Sequence, residues 1–286
     1  MQKLTEILAV VEHASTGGAV LDKALALARR FRARVELLVA EPRLLHEFAA
    51  RCAARGHDEV TFGNSFRGDE PLRSQLLRRV EERQPDLLVK APERPRPWSA
   101  WTLHGDDREL ASECPVPVLL AGARPWAEPP RFAAAVDVSG PETAAVARAV
   151  LHAAGMLAQG THGQLDILYS EREQHDEIER MARAVRLAQL VREYHVGCER
   201  LQMFSGAPEK RLPPLVAARQ YDVLVLGAVS HRDANPLAIG TLTAKLVDAT
   251  PGDVVLVKAA DPARAPARRP AASGREQAAH HGEQLV

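Results

Sequence analysis

The sequence predicts an α/β protein of two tandem open parallel-sheet domains, about five strands each, related by duplication. Three observations carry that prediction. Short continuous apolar runs alternate with helix-periodic stretches, which implies right-handed strand–helix–strand crossovers and sheets covered on both faces. The pattern stops at a proline-rich joint (Pro125, Pro129, Pro130) and then restarts. Two separate segments repeat at one offset: Asp86-Leu-Leu-Val matches Asp222-Val-Leu-Val, and Cys114-Pro-Val-Pro-Val-Leu-Leu matches Thr250-Pro-Gly-Asp-Val-Val-Leu. Both pairs lie 136 positions apart (222 minus 86, 250 minus 114). A period that long marks a duplicated domain rather than a solenoid repeat.

The first half opens on a strand at Ile7–Val11, an unbroken apolar run. A Ser-Thr-Gly-Gly loop follows, then a helix with Val20, Ala24, Leu27 and Phe31 on one side, and a second strand at Val35–Ala40. Leu44–Arg55 is helical. Leu72–Arg83 is more strongly so, with Leu72, Leu76, Leu77 and Val80 on one face and arginines Arg78, Arg79 and Arg83 on a solvated one. Asp86–Lys90 is the third clear strand, Arg108–Cys114 a short helix, and Val116–Leu120 the closing strand.

The second half repeats the order. Phe132–Val138 is its first strand and ends around Asp137; Glu142–Leu157 is an Ala-rich helix; Leu165–Tyr169 is a strand. Glu177–His195 is a long helix, with Ile178, Met181, Val185, Leu187, Leu190 and Val191 expected towards one side. Leu201–Phe204 is a strand, and Leu212–Arg219 a helix that accepts Pro213 and Pro214 in its first turn. Val223–Leu226 and Val254–Val257 are the last strands. The expected domains are 1–124 and 130–260. Residues 261–286, rich in Ala, Pro, Arg and His, read as a disordered tail in which His280-His281 is no metal site.

Composition narrows the function classes. The 286 residues suit two domains. Lys+Arg and Asp+Glu are both 37, so the chain lacks the overall basic charge of a nucleic-acid binder. Cys52, Cys114 and Cys198 have no metal or disulfide spacing and read as reduced thiols; Cys114, in a core strand, reads as buried and unreactive. The acidic run Glu171, Glu173, His175, Asp176, Glu177 and Glu179 reads as a solvated loop and helix start rather than a metal site. No apolar run approaches the ~18 residues of a membrane helix, and the N-terminus reads as a strand rather than a leader. A soluble intracellular protein is expected, with neither nucleic acid nor membrane as partner.

The segment Asp222–Lys258 carries the candidate chemistry. A buried strand ends at Gly227, and Gly240-Thr241-Leu242-Thr243 opens the last helix after nine residues that follow Ser230. The carboxyl end of a parallel strand followed by a helix N-terminus is where α/β sheets bind anions. Gly227 permits a sharp turn or close approach of a ligand, and Thr241 and Thr243 add hydroxyls. Asp137, past strand one, is placed to accept a hydrogen bond from an adenine or ribose edge. Ordinary turn and cap chemistry explains the same residues, and neither a Walker Gly-Lys-Ser/Thr nor GxGxxG is present. In the first half the matching stretch is Lys90-Ala-Pro-Glu-Arg-Pro-Arg-Pro-Trp, without a glycine turn and with Pro92 and Pro95 lacking N–H donors. Trp98, Trp101 and His104 fall near that pocket and read as a plug.

The pattern resembles the universal stress protein family in its tandem form. The carriers are Ile7-Leu-Ala-Val-Val-Glu12 and Ala133-Ala-Ala-Val-Asp137-Val-Ser139 as strand one, and Ala24 to Leu38 as first helix and second strand. Cys114-Pro-Val-Pro-Val-Leu-Leu matches the last strand. The family's Gly-x2-Gly-x9-Gly-Ser/Thr loop is matched at Gly227, Gly240 and Thr241, with Ser230 in place of the second glycine. The first half resembles the degenerate N-terminal domain of the E-type tandem member. The resemblance covers about residues 3–258. It implies the Rossmann-like, adenine nucleotide alpha hydrolase-like fold, with two domains paired through their last strands as a pseudo-dimer. It also implies a cytoplasmic, non-enzymatic stress-response protein binding ATP or AMP, with Mg²⁺ accompanying ATP. Asp137 would then meet adenine, and Gly227, Ser230, Gly240, Thr241 and Thr243 the ribose and phosphates, in the second half alone. Further pairing into a homodimer is compatible with this arrangement. An interaction or small apolar-ligand protein with both pockets closed is the alternative. An ATP hydrolase ranks below it, because the loop shows no lysine placed for a γ-phosphate and no positioned base.

Overall fold

The computed structural model describes residues 4–56, 60–63, 70–92, 105–140, 143–171, 176–194, 197–228, 241–250 and 252–259. The first half contains β1 (Glu6–Val11), α1 (Ala14–Phe31), β2 (Arg34–Val39), α2 (Pro42–Ala54), β3 (Val60–Phe62), α3 (Leu72–Arg83), β4 (Leu87–Lys90), α4 (Gly105–Glu113) and β5 (Val118–Leu120). The second half repeats this order: β6 (Arg131–Ala135), α5 (Ala144–Thr161), β7 (Gln164–Glu171), α6 (Glu177–Glu193), β8 (Arg200–Ser205), α7 (Pro208–Ala218), β9 (Val223–Gly227), α8 (Thr241–Ala249) and β10 (Asp253–Val257).

The ten strands form one sheet, ordered β3-β2-β1-β4-β5-β10-β9-β6-β7-β8. Within each half every pairing is parallel. The halves join through their last strands, β5 against β10, antiparallel, with Leu119 opposite Val255. An antiparallel join is what an isologous pairing of two equivalent units requires. The tandem chain is therefore a pseudo-dimer in one sheet.

Duplication extends to small devices. Asp86 Oδ2 accepts hydrogen bonds from the Thr5 and Glu6 amides, fixing the entry of β1. Asp222, 136 positions on, accepts from the Ala127 and Arg131 amides at the entry of β6. Gln84 and Gln220 both take a left-handed conformation (φ 50° and 53°) just past α3 and α7.

Apolar side chains above and below the sheet form two cores. One lies under α1, α2, α5 and α6, the other under α3, α4, α7 and α8. At the pseudo-dyad α1 meets α5, and Gly160 is covered by the Phe31 ring so closely that a Cβ there would lie 2.0 Å from it. A polar staple lies beside this contact. Asp253 accepts from Lys23 Nζ at 2.7 Å, the Gly122 amide at 2.8 Å and Trp126 Nε1 at 2.7 Å. It ties α1, the inter-half connection and β10 together.

Four details differ from the sequence reading. The Ser-Thr-Gly-Gly stretch is the first turn of α1, because Gly17 packs against Val11 and Phe48 where any side chain would overlap. A fifth first-half strand, β3, has only three residues. Helix α7 starts at Pro208, which leaves Pro213 and Pro214 inside it rather than in its first turn. Helix α6 does not bury one continuous face: Leu187 and Leu190 enter the core, whereas Ile178, Met181 and Val185 are exposed. The expected tail, 261–286, lies outside the described residues.

Candidate functional site

Strand order locates the site. Each half runs outward from its first strand to one side, then returns to the other side, so the topological switch points lie between β1 and β4 and between β6 and β9. Ligands bind α/β sheets in the crevice outside the carboxyl ends of such strands. Registers make the two crevices comparable: Ile7 pairs with Leu87, and Phe132 pairs with Val223. Glu12 is thus the counterpart of Asp137, Lys90 of Leu226, and Ala91 of Gly227.

In the second half the crevice is flanked by Asp137 and Gly227, two residues that the sequence singled out. The Asp137 side chain is exposed, and its Oδ1 accepts the Ser139 amide at 2.8 Å, turning the chain towards α5. Ser139 Oγ is buried and has no hydrogen-bond partner among the described residues. Gly227 is the last residue of β9, in register with Val257. Its lack of a side chain serves close packing: a Cβ would lie 2.4 Å from Val146 Cγ1 of α5. Thr243 sits in the first turn of α8, and its hydroxyl donates to the Gly227 carbonyl at 2.8 Å. That proton is engaged in tying helix to strand, so Thr243 offers a ligand its oxygen lone pairs rather than a donor. Thr241 is the first residue of α8. Ser230 and Gly240 lie outside the described residues.

Side chains of α6 that the sequence reading did not select reach the carboxyl ends of β6 and β7. Arg186 donates to the Val138 carbonyl at 3.0 Å, and Arg183 donates to the Tyr169 hydroxyl at 3.2 Å. Burial pushes the Tyr169 hydroxyl above its ordinary range, so it stays protonated at neutral pH. Buried Glu171 at the end of β7 lies 3.5 Å from Arg183 and 3.8 Å from Arg180.

The first-half crevice differs in kind. Lys90, 2% exposed, forms an ion pair with Asp107, and its Nζ lies 2.9 Å from Glu12 Oε1. Asp107 occupies in α4 the place of Thr243 in α8, at the same offset of 136 positions (243 minus 107). Three charged side chains of the chain itself therefore meet where the second half presents Asp137, Leu226 and Thr243. Burial opposes the Lys90 charge, but Asp107 and Glu12 outweigh it, and the ammonium is held above its ordinary 10.5. A shallow cleft remains beside it, lined by Leu72, Arg73, Leu76 and Leu110. Residues 93–104, with Trp98, Trp101 and His104, lie outside the described residues. Among the described residues no cluster of three His, Cys, Asp or Glu is placed to hold a metal ion, and no helix is long and apolar enough to cross a membrane.

No family model and no curated protein matches the sequence. Solved structures do match its fold. A protein assigned to the universal stress proteins of Pseudomonas aeruginosa UCBPP-PA14 superposes with a TM-score of 0.76 at 22% identity, covering 89% of this chain and 93% of that one. A functionally unknown protein from Pseudomonas aeruginosa PAO1 gives 0.72 at 22% identity, covering 90% and 93%. A universal stress protein from Archaeoglobus fulgidus DSM 4304 gives 0.64 at 14% identity, covering 90% and 99%. The likeness spans both halves and the join between them, so the chain has the fold of the tandem universal stress proteins.

Proposed function

We propose that this protein is a cytoplasmic, non-enzymatic universal stress protein that binds one ATP or AMP in its second half and uses its first half as scaffold. The observation that carries this reading is the asymmetry of the two switch points. In one, the buried Lys90 ammonium is ion-paired with Asp107 and Glu12. In the other, the Asp137 carboxylate is exposed, the buried Ser139 hydroxyl has no hydrogen-bond partner among the described residues, and the first turn of α8 meets the end of β9 at the Gly227 carbonyl. Those groups suit a nucleoside: a carboxylate for ribose or base donors, a hydroxyl, and a helix N-terminus for phosphate. Mg²⁺ would arrive with the triphosphate. The reading assigns no catalytic residue, and the protein acts by changing with its ligand.

Thermal-shift titration with ATP·Mg²⁺, AMP and ADP tests it. Saturable stabilisation is expected, and it should vanish in Asp137→Ala and Gly240→Val while the unliganded proteins stay folded. Silence towards every adenine nucleotide would favour the alternative, an interaction or apolar-ligand protein. Steady phosphate release lost in those variants would favour an ATP hydrolase.

A further inference from the structure

The duplicated halves differ in length between their first strand and first helix. Ile7 pairs with Leu87 as Phe132 pairs with Val223, so the first strands correspond at an offset of 125 (132 minus 7). Helices α1 and α5 both have 18 residues, and the left-handed residues that close them, Arg32 and His162, correspond at 130 (162 minus 32). Five extra residues (130 minus 125) therefore lie between β6 and α5, where Asp137 stands. In the first half Glu12 and His13 alone separate β1 from α1, and the His13 carbonyl accepts the Gly17 amide of the helix at 2.9 Å. Its counterpart, the Val138 carbonyl, accepts from Arg186 of α6 at 3.0 Å. The N–H of the same peptide unit, on Ser139, donates to Asp137 Oδ1 at 2.8 Å. One peptide is thus held at both ends, by a carboxylate on one side and a guanidinium on the other. Rotating it would break both bonds.

Helix α6 in turn relies on such bonds. No residue from Glu177 to Arg186 is buried, and the core takes only Leu187 and Leu190. Helix α2, its counterpart, buries Leu44, Phe48 and Cys52 along its length. The bonds that tie the leading turns of α6 to the sheet are polar: Arg183 to the Tyr169 hydroxyl, Arg183 and Arg180 to Glu171, and Arg186 to Val138. A segment with few buried apolar contacts has low local stability and responds to each bond that docks it. On the reading that Asp137 meets the nucleotide, we propose that Arg186 is a positioning residue of that site. It fixes the Val138–Ser139 peptide so that Asp137, with Oδ1 engaged in the turn, presents Oδ2 to the ligand. Linkage makes the effect reciprocal: a ligand that holds Asp137 also strengthens the docking of α6. Arg186 is itself exposed, so removing its side chain opens no cavity.

Two measurements on the full chain test this: calorimetric titration with AMP and with ATP·Mg²⁺, and amide hydrogen exchange with and without saturating nucleotide. Arg186→Met should weaken binding ~10-fold, the order of one lost hydrogen bond from a charged donor, while the melting temperature of the unliganded protein stays unchanged. Arg186→Lys, whose ammonium can still donate to the Val138 carbonyl, should recover most of the affinity. Saturating nucleotide should slow exchange across Glu177–Arg186 in the wild type and leave it unchanged in Arg186→Met. A purely structural arginine would instead lower the melting temperature and leave the affinity alone, and that result overturns the proposal. So does a wild type that saturates with nucleotide while exchange in α6 stays the same. A wild type that binds neither nucleotide sinks the nucleotide reading itself, and the role of Arg186 with it.

Discussion

Lys90 is the residue on which the difference between the two crevices turns. Replacing it with Met removes the buried ammonium that Asp107 and Glu12 share, and losing one partner of a buried pair costs about 3–5 kcal/mol. Chemical denaturation should show that loss in Lys90→Met. Adding Asp107→Leu should recover part of it, because the two effects share one interaction. The pH dependence has a fixed sign. The folded-state pKa of Lys90 lies above its unfolded value of 10.5, so its contribution is complete below pH 10.5 and is lost as pH rises through the folded value. The gap in melting temperature between wild type and Lys90→Met should therefore narrow at strongly alkaline pH; a constant gap would contradict the assignment. The cysteines give a simpler check. Burial pushes the Cys114 thiol up to about 11, and Cys52 is as buried, whereas Cys198 is partly exposed. A thiol reagent at neutral pH should modify Cys198 alone in the folded protein, and all three after unfolding.

Among the elements, α1 and α5 show how the halves depend on each other. Gly160 lies within α5, where Ala would ordinarily stabilise a helix by roughly 1 kcal/mol. Here the Phe31 ring of α1 fills the space a Cβ needs, and overpacking of this kind costs about 1–3 kcal/mol. Gly160→Ala should lower the melting temperature, and Phe31→Leu in that background should restore part of it. Much at this scale was legible in the sequence. Continuous apolar runs marked β1, β4, β9 and β10, because a strand buried on both faces has no polar alternation to hide it. The edge strand β3 was not, since three residues give no period. The start of α1 was misread because glycine signals a turn locally, whereas Gly17 is set by Phe48, thirty-one positions away (48 minus 17). The Lys90–Asp107–Glu12 cluster had a signal that passed unused: a lysine closing the apolar run Leu87-Leu-Val, with an acid at the end of β1. The placement of Asp137 and Gly227 beyond their strands was legible because the carboxyl ends of strands are readable. What packs over Gly227 and where the Thr243 proton goes were not, because both depend on how helices lie on the sheet.

At the scale of the whole molecule, the join between halves combines the β5–β10 ladder with a buried polar staple. Burial lowers the Lys23 ammonium below its ordinary value and raises the Asp253 carboxyl above its own, each despite the other's charge. Charges so placed are costly to leave single. Asp253→Ala would strand Lys23 and the Trp126 and Gly122 donors, and the halves should then unfold in separate steps rather than together in urea. The double replacement Lys23→Met, Asp253→Leu should be milder than Asp253→Ala alone. The same join makes the chain a pseudo-dimer with two switch points, one holding the Lys90, Asp107 and Glu12 charges and the other presenting Asp137, Leu226 and Thr243. The stoichiometry of nucleotide binding tests this asymmetry most directly. Calorimetric titration with ATP·Mg²⁺ and AMP should give one molecule per chain, abolished by Asp137→Ala and retained in Glu12→Gln. Two molecules per chain, or one that depends on Glu12 and survives Asp137→Ala, would contradict it.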